Sequence, residues 1–446
     1  MSAGGGALRN PDFARLCAGQ AVAQLGSRGY GVAIMLWVLA VSGSAATVGL
    51  VSTVTMGAFT AATVPAGWIV DRFDRRRVMI TVDACSAAAA AVLAGCAWRG
   101  LFHPVPVLVA VSVLGAGWAV RGLAEDAAVP QVVEREQIGT AYGLFEARGY
   151  ATGVAGPPLA ATLYGLGAAL PFAGHAVSFV VAGAAAARVR TPLQAPRVPG
   201  SAAERPWAAI RDGLRWFASH PFVRTTAALT AVAEFVVNGC GLVVVVLLAG
   251  SGAPSSTVGI ALAVAYGGGM LGALAVPRLR RWIPAHRLLV LSAGLGVLAV
   301  LAAATGSPVV AAAGYAALLA VTPSWSVVVT ARCAELVPDE VRGRVGAATG
   351  LVTSLPAMFA PLTVGVLTTA VGAASTAWML AALLGGVVVA TAVSRTVRLQ
   401  AGEPLPRRAV LGGEPVDELG GGDDGVDRAD TLPGTPDVAP GLRLRS

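Results

Sequence analysis

Stretches of apolar residues long enough to cross the roughly 30 Å hydrocarbon core of a bilayer recur along this chain, each closed off by a short polar break. Twelve can be read, at residues 13–41, 46–69, 78–98, 104–127, 139–163, 171–188, 223–249, 256–276, 287–304, 308–331, 342–370 and 376–394. A backbone in lipid has no water to bond, so each run is expected to be a helix. Their Gly, Ala and Val content suits close packing between membrane helices. The pattern predicts an all-α membrane protein with twelve transmembrane helices, seated in a lipid bilayer.

Composition agrees: apolar residues make up 55% of the chain, charged residues 13%, and the mean hydropathy is +0.71, with about half the charge of a soluble domain. All 32 basic residues are arginine, which excludes a phosphate-loop lysine and any Schiff-base or general-base lysine. When the polar breaks are assigned alternately to the two sides, 22 arginines up to Arg398 fall on one side and only Arg99 on the other. The positive-inside rule then places both termini in the cytoplasm of a multi-pass plasma-membrane protein. This distribution explains the basic pI without a nucleic-acid partner. The first run is too long for a cleavable signal peptide and leads straight into a second. Cys17, Cys85, Cys96, Cys240 and Cys333 stand singly with no metal spacing and read as small buried hydrophobes, so neither metal nor cofactor is implied.

The chain also repeats itself. Shifted by 210 residues, Asn10–Leu50 lies over His220–Ile260 without a gap, with ten identities in 41 positions, among them Thr47-Val48-Gly49 over Thr257-Val258-Gly259. Two parallel six-helix bundles are expected, over 1–188 and 223–398. Between them lies a Pro- and Arg-rich linker at 189–222. Within it Trp207, Ile210, Leu214 and Phe217 share one face and Arg211 and Arg215 another, predicting a helix on the cytoplasmic membrane surface. The tail, 399–446, has nine acidic residues against five arginines and is expected to be disordered.

The most specific motif is Gly67-Trp68-Ile69-Val70-Asp71-Arg72-Phe73-Asp74-Arg75-Arg76 between the second and third runs. It resembles the signature loop of the major facilitator transporters, and the resemblance spans residues 10 to about 398. It implies twelve helices in two parallel halves, no enzymatic activity, a monomeric carrier, and a small-molecule substrate with protons as partners. It also implies a conformational latch in which Gly67 lets helices approach and Asp71, Arg72, Arg75 and Arg76 form ion pairs. Asp83, one turn into the third run, reads as an anchor for those arginines. The second-half counterpart, Gly272 to Arg281, keeps Arg278, Arg280 and Arg281 but lacks the Asp. In the fifth run Gly156-Pro157-Pro158-Leu159-Ala160-Ala161 keeps the Gly-Pro of the family's antiporter signature and replaces its later glycines by alanines. Arg121 occupies the place of the exporter arginine, but with Glu125 and Asp126 one turn on it also reads as a local ion pair. The opening segment, Asn10-Pro11-Asp12-Phe13 through Gly49, looks most like the twelve-helix bacterial exporters of the enterobactin efflux group.

Polar stripes mark a candidate transport path. Gln20, Gln24 and Arg28 are spaced i, i+4, i+8 on the first run, and the shift of 210 carries them onto Thr230, Glu234 and Asn238 of the seventh, so the two stripes are expected to face each other around a central cavity. Tyr142, Glu146 and Tyr150 form a stripe on the fifth run; Thr322, Ser326 and Thr330 form one on the tenth. Glu234, near mid-membrane, is a candidate proton carrier, with Glu146 second; the rival readings for Glu234 are first a fixed pair with Arg28 and then a substrate contact. The four histidines are assigned no ligand role, and Trp37, Trp98 and Trp378 read as membrane-interface anchors. The reading is a secondary transporter that exports a small amphipathic organic molecule, a drug or secondary metabolite, by proton antiport. An uptake symporter or lipid flippase of the same fold is the alternative. A membrane sensor would need a folded output domain, and an intramembrane enzyme would need a metal or nucleophile cluster that the runs do not contain.

Overall fold

The structure, a computed structural model, describes residues 9–134, 137–194, 206–337 and 339–402. Those residues fold into helices joined by short turns. The first six are α1 (Pro11–Ser42), α2 (Ala45–Arg72), α3 (Arg75–Trp98), α4 (Pro104–Val132), α5 (Ile138–Leu166) and α6 (Leu170–Ala187). A short helix, α7 (Pro206–Ser219), precedes the second six: α8 (Pro221–Gly250), α9 (Ser255–Trp282), α10 (Ala285–Ala304), α11 (Pro308–Leu336), α12 (Asp339–Val371) and α13 (Ala373–Val393). A final turn of helix, α14, covers Arg395–Gly402. Among the described residues eleven helices are long and apolar enough to cross a membrane. The twelfth, α5, is 29 residues long, about 43 Å at 1.5 Å per residue; Tyr142, Glu146, Arg148 and Tyr150 interrupt its apolar run.

Local chemistry sets the ends. Asn10 caps α1 by accepting from the Asp12 and Phe13 amides, Ser44 caps α2 and Asp74 caps α3, satisfying donors that a helix start leaves open. Gly43 closes α1 in the left-handed conformation at φ 63°, which a side chain would oppose.

Each half packs within itself in the same pattern: α1 on α5 and α6, α2 on α4, and α3 on α4 and α6, repeated by α8 on α12 and α13, α9 on α11, and α10 on α11 and α13. The halves meet chiefly where α2 crosses α12 and α5 crosses α9. Both crossings need glycine, and at positions 210 apart. A Cβ on Gly49 would strike the Pro361 carbonyl and stand 2.8 Å from Leu362 Cα; one on Gly259 would stand 2.7 Å from the Pro157 carbonyl and 2.8 Å from Pro158 Cα. Beside them the Leu362 amide donates to Thr53 Oγ1 (3.1 Å) and Ser255 Oγ to the Ala161 carbonyl (2.9 Å). These contacts sit at the arginine-poor ends of the helices, where one apolar core runs through both halves and includes Val48, Val51, Ala161, Val258, Leu262 and Val364. Toward the arginine-rich ends that core continues in the second half, to Leu288, Leu289 and Val397, and two further cores stand apart there, one in the first half around Phe13, Met79 and Val129 and one in the second around Phe217, Phe222 and Val345. The halves are joined at one end and parted at the other.

Several expectations need correction. Gly67 faces open space, not a close helix, because α2 meets α12 at its opposite end; in the corresponding segment of the second half it is Gly272 that backs onto the Ala320 carbonyl. Trp37 is no interface anchor: it is 1% exposed and packs on Phe102 and Phe172, whereas Trp98 and Trp378 are exposed. Cys85 is exposed rather than buried. On α7, Phe217 is buried in protein against Phe222 and Val345, so this part of the amphipathic face docks on the second half instead of lipid; the side chains of Trp207 and Ile210 and the tail 403–446 lie outside the described residues.

Replacing Gly49 and Gly259 together by valine should part the halves at the arginine-poor end. A thiol introduced into the cavity wall at position 52, in a protein otherwise free of cysteine, should then react several-fold faster with an impermeant maleimide applied from that side. Reaction at the parental rate would show that these glycines do not hold the seam.

Candidate functional site

The halves enclose a cavity of about 250 Å³ at mid-helix depth. Gln20, Gln24 and Arg28 of α1 line it together with Trp118 of α4, Asn238 of α8 and Tyr266 of α9. Its wall is apolar over most of its area with polar side chains set into it, among them Gln20, Gln24, Ser27, Arg28 and Asn238, a mixture that small-molecule sites share. Arg28 reaches across the seam: its guanidinium lies over the Tyr266 ring at 5.7 Å from the centroid, a cation–π contact between the halves. Gly156 brings α5 onto α1, since a Cβ there would stand 2.8 Å from Arg28 Cβ and 3.1 Å from the Gly29 amide nitrogen, and the next residues, Pro157 and Pro158, supply the backbone that Gly259 meets. The Gly-Pro segment is thus the point where α5 crosses both α1 and α9.

The expected face-to-face stripes do not form. Thr230 and Glu234 open instead on a second, smaller cavity of about 60 Å³ inside the second half, with Ser292 of α10 and Thr322, Trp325 and Ser326 of α11. There Trp325 Nε1 donates to Thr230 Oγ1 (2.8 Å), while Thr230, Ser292, Thr322 and Ser326 donate their hydroxyl hydrogens to carbonyls of their own helices. Among the described residues neither Arg28 nor Glu234 has an ion-pair partner, so they are not paired with each other in this conformation. Thr330, last of the α11 stripe, is exposed.

The paired charges lie elsewhere in the first half, where the sequence reading did not put them. Arg121 Nε sits 3.2 Å from Asp83 Oδ1, the two side chains 4% and 1% exposed, and Arg121 Nη1 approaches Met79 Sδ. Asp83 therefore anchors Arg121 in the bundle, not the loop arginines, and the expected pairing of Arg121 with Glu125 gives way to it. Glu125 takes Arg148 of α5, Nη1 to Oε1 2.7 Å, and Arg148 Nε also donates to Gln24 Oε1 (3.2 Å). Arg148 is the residue the sequence reading missed. It lies two positions from Glu146 and from Tyr150, on the α5 face that meets α1 and α4, whereas Glu146 is exposed near the arginine-rich end. Tyr142 is exposed as well, and its hydroxyl donates to the Asp126 carbonyl (3.3 Å), the one left without an amide donor by Pro130 four residues on. Tyr150 is half-buried and outside the cavity wall. His175, stacked on Tyr30 at 5.2 Å, lies in the cavity wall rather than on an outer surface.

The signature loop is held by backbone. Arg75 Nη1 donates to the carbonyls of Ala127 and Leu193, Arg76 to that of Thr191, and Gln194 to that of Asp71. Asp12 accepts from the Arg190 and Thr191 amides and the Thr191 hydroxyl. The start of α1, the loop and the first residues of the linker are thereby fastened into one cap on the arginine-rich end of the first half. Arg72 lies over Trp68; Asp71 is exposed and forms no salt bridge among the described residues.

Neutralising one member of the buried pair leaves the other charge stranded, a cost of about 3–5 kcal/mol. Asp83→Asn and Arg121→Gln should each lower thermal stability and yield in detergent, and the double variant should recover most of the loss. Additive losses would show that the two side chains are not coupled.

No curated protein matches this sequence. Solved structures match the fold over almost their whole length: the nucleoside transporter NupG (TM-score 0.68, 11% identity, 85% of this chain and 98% of that one), a bacterial homologue of the iron transporter ferroportin in an inward-facing state (0.67, 16%, 88% and 99%) and a D-xylose-proton symporter (0.68, 14%, 88% and 99%). The sequence itself matches the Major Facilitator Superfamily over residues 16–361. On that match, with twelve helices in two repeated sets around a central cavity, the chain belongs to the major facilitator superfamily and is a membrane transporter.

Proposed function

We propose that this transporter exports a small amphipathic organic molecule across the plasma membrane in exchange for protons, with its arginine-rich face and both termini in the cytoplasm, working as a monomer. The observation that carries the coupling is the charge balance inside the helices. Asp83 with Arg121 and Glu125 with Arg148 cancel, and among the described residues that line the two cavities this leaves Arg28 in the central one and Glu234 in the second one without an ion pair. A lone mid-membrane carboxylate is costly unless it is solvated or protonated, so the proton occupancy of Glu234 biases the two states of the carrier. The central cavity sets Met35, Met56, Trp118 and Phe179 beside polar groups such as Gln20, Gln24 and Arg28, a mixed wall that suits an amphipathic cargo. Export is supported by the likeness of the Asn10–Gly49 segment to the enterobactin efflux group, while the alanines that follow Gly156-Pro157 in place of the antiporter signature's glycines weaken the antiport part of the reading without removing it. The two six-helix sets act as the moving bodies, and Asp71 and Arg72, both exposed in the signature loop, latch their arginine-rich ends when those ends close, while Arg75 and Arg76 hold the loop on the first half.

Glu234→Gln mimics the protonated side chain permanently. In proteoliposomes the variant should still exchange substrate across the membrane but lose uphill transport driven by a pH difference. Uphill transport at the parental level in this variant would remove Glu234 from the coupling mechanism.

A further inference from the structure

We infer that the transported molecule is an organic anion whose carboxylate docks on Arg28, with an aromatic body lying in the central cavity. This rests on the central cavity being the transport site. Among the described residues every charged side chain facing that cavity is cationic: Arg28 and Arg121 line it, and no described Asp or Glu does. Arg121 is neutralised by Asp83. The other acids of the first half that lie near it are committed too, Glu125 to Arg148, while Glu234 opens on the other cavity. Arg28 has a Tyr266 ring beside it and no carboxylate among the described residues; a ring face offsets only part of the desolvation of a guanidinium. A carboxylate ligand completes the neutralisation and matches the planar guanidinium fork in geometry.

Beside Arg28 a second donor is available. Gln24, one turn before it on the same face of α1, has its oxygen engaged by Arg148 and so meets a ligand through its NH2 group. Ser27 and Thr55 donate their hydroxyl hydrogens to the Ala23 and Val51 carbonyls of their own helices and so offer the cavity lone pairs. Arg28 and Gln24 together are the donors that would hold a carboxylate. Trp118 and Tyr266, from opposite halves, give the apolar body aromatic faces. Because Arg28 belongs to one half and Tyr266 to the other, an anion at this point alters a contact between the two moving bodies.

Three probes of one shape and different charge test this: 1-naphthoate, 1-naphthalenemethanol and 1-naphthalenemethylammonium, titrated calorimetrically into the full-length protein in lipid nanodiscs. The wild-type protein should bind the acid about ten-fold or more tighter than the alcohol, and the amine weakest. Arg28→Gln should erase the preference for the acid, bringing its affinity to within about two-fold of that for the alcohol, and Arg28→Lys should keep part of it. The wild-type ranking alone decides the matter if the variants fail to fold. Tighter binding of the alcohol or amine, or an acid preference that survives in Arg28→Gln, overturns the anion assignment and leaves the transporter reading standing. Binding of none of the three counts against the cavity as the ligand site itself.

Discussion

A charge buried among membrane helices has to be cancelled or wetted, and the interior of this protein is arranged around that constraint. In the first half the cancellation is done by tertiary partners: α3 supplies Asp83 to Arg121 on α4, and α5 supplies Arg148 to Glu125 on α4. These bridges tie α3, α4 and α5 into one body, and the Arg148 contact to Gln24 brings in α1. Apolar packing between membrane helices lacks the drive it has in water, so paired charges and close glycine contacts carry much of the specificity of the bundle. Among the described residues that line the two cavities, Arg28 and Glu234 remain uncancelled.

The second determinant is the seam between halves. Gly49 and Gly259 occupy equivalent positions in the repeat and each meets a proline-containing stretch of the other half, Pro361-Leu362 and Pro157-Pro158. Proline removes a donor from its helix and bends it, and the missing Cβ of glycine lets the facing backbone come close. The same device used twice gives the two crossings a shared geometry, which a rocking motion of one half on the other requires. The single core that runs through both halves at that end and the two further cores that stand apart toward the other are the packing signature of a carrier resting with its arginine-rich side parted.

Much of this was legible in the sequence because lipid leaves the backbone no choice but helix; all twelve runs became helices, and the repeat that aligned Thr47-Val48-Gly49 with Thr257-Val258-Gly259 marks the seam itself. Side-chain partners were harder to read. A stripe at i, i+4 defines a face but not what the face meets, so Tyr142, Glu146 and Tyr150 drew attention away from Arg148 on the inward side of α5. Local spacing favoured Glu125 for Arg121, yet the distant Asp83 takes it, because only the packing of α3 on α4 brings that carboxylate within reach. Equivalent register also placed Glu234 opposite Gln24, but α8 directs Glu234 into its own bundle and leaves only Asn238 of its stripe in the central cavity wall. Trp37 shows the same limit: its depth in the helix fits an interface anchor, and its azimuth buries it.

Alternating access about this seam is most directly tested by distances between spin labels measured at two pH values on the protein in lipid. One pair would join the arginine-rich ends of the halves at Phe73 and Leu336, both exposed, and the other the arginine-poor ends at Leu101 and Val309, likewise exposed. Rocking of two rigid halves requires the first distance to shorten as the second lengthens, with matching populations. Two distances that stay fixed, or that lengthen and shorten together, would contradict it.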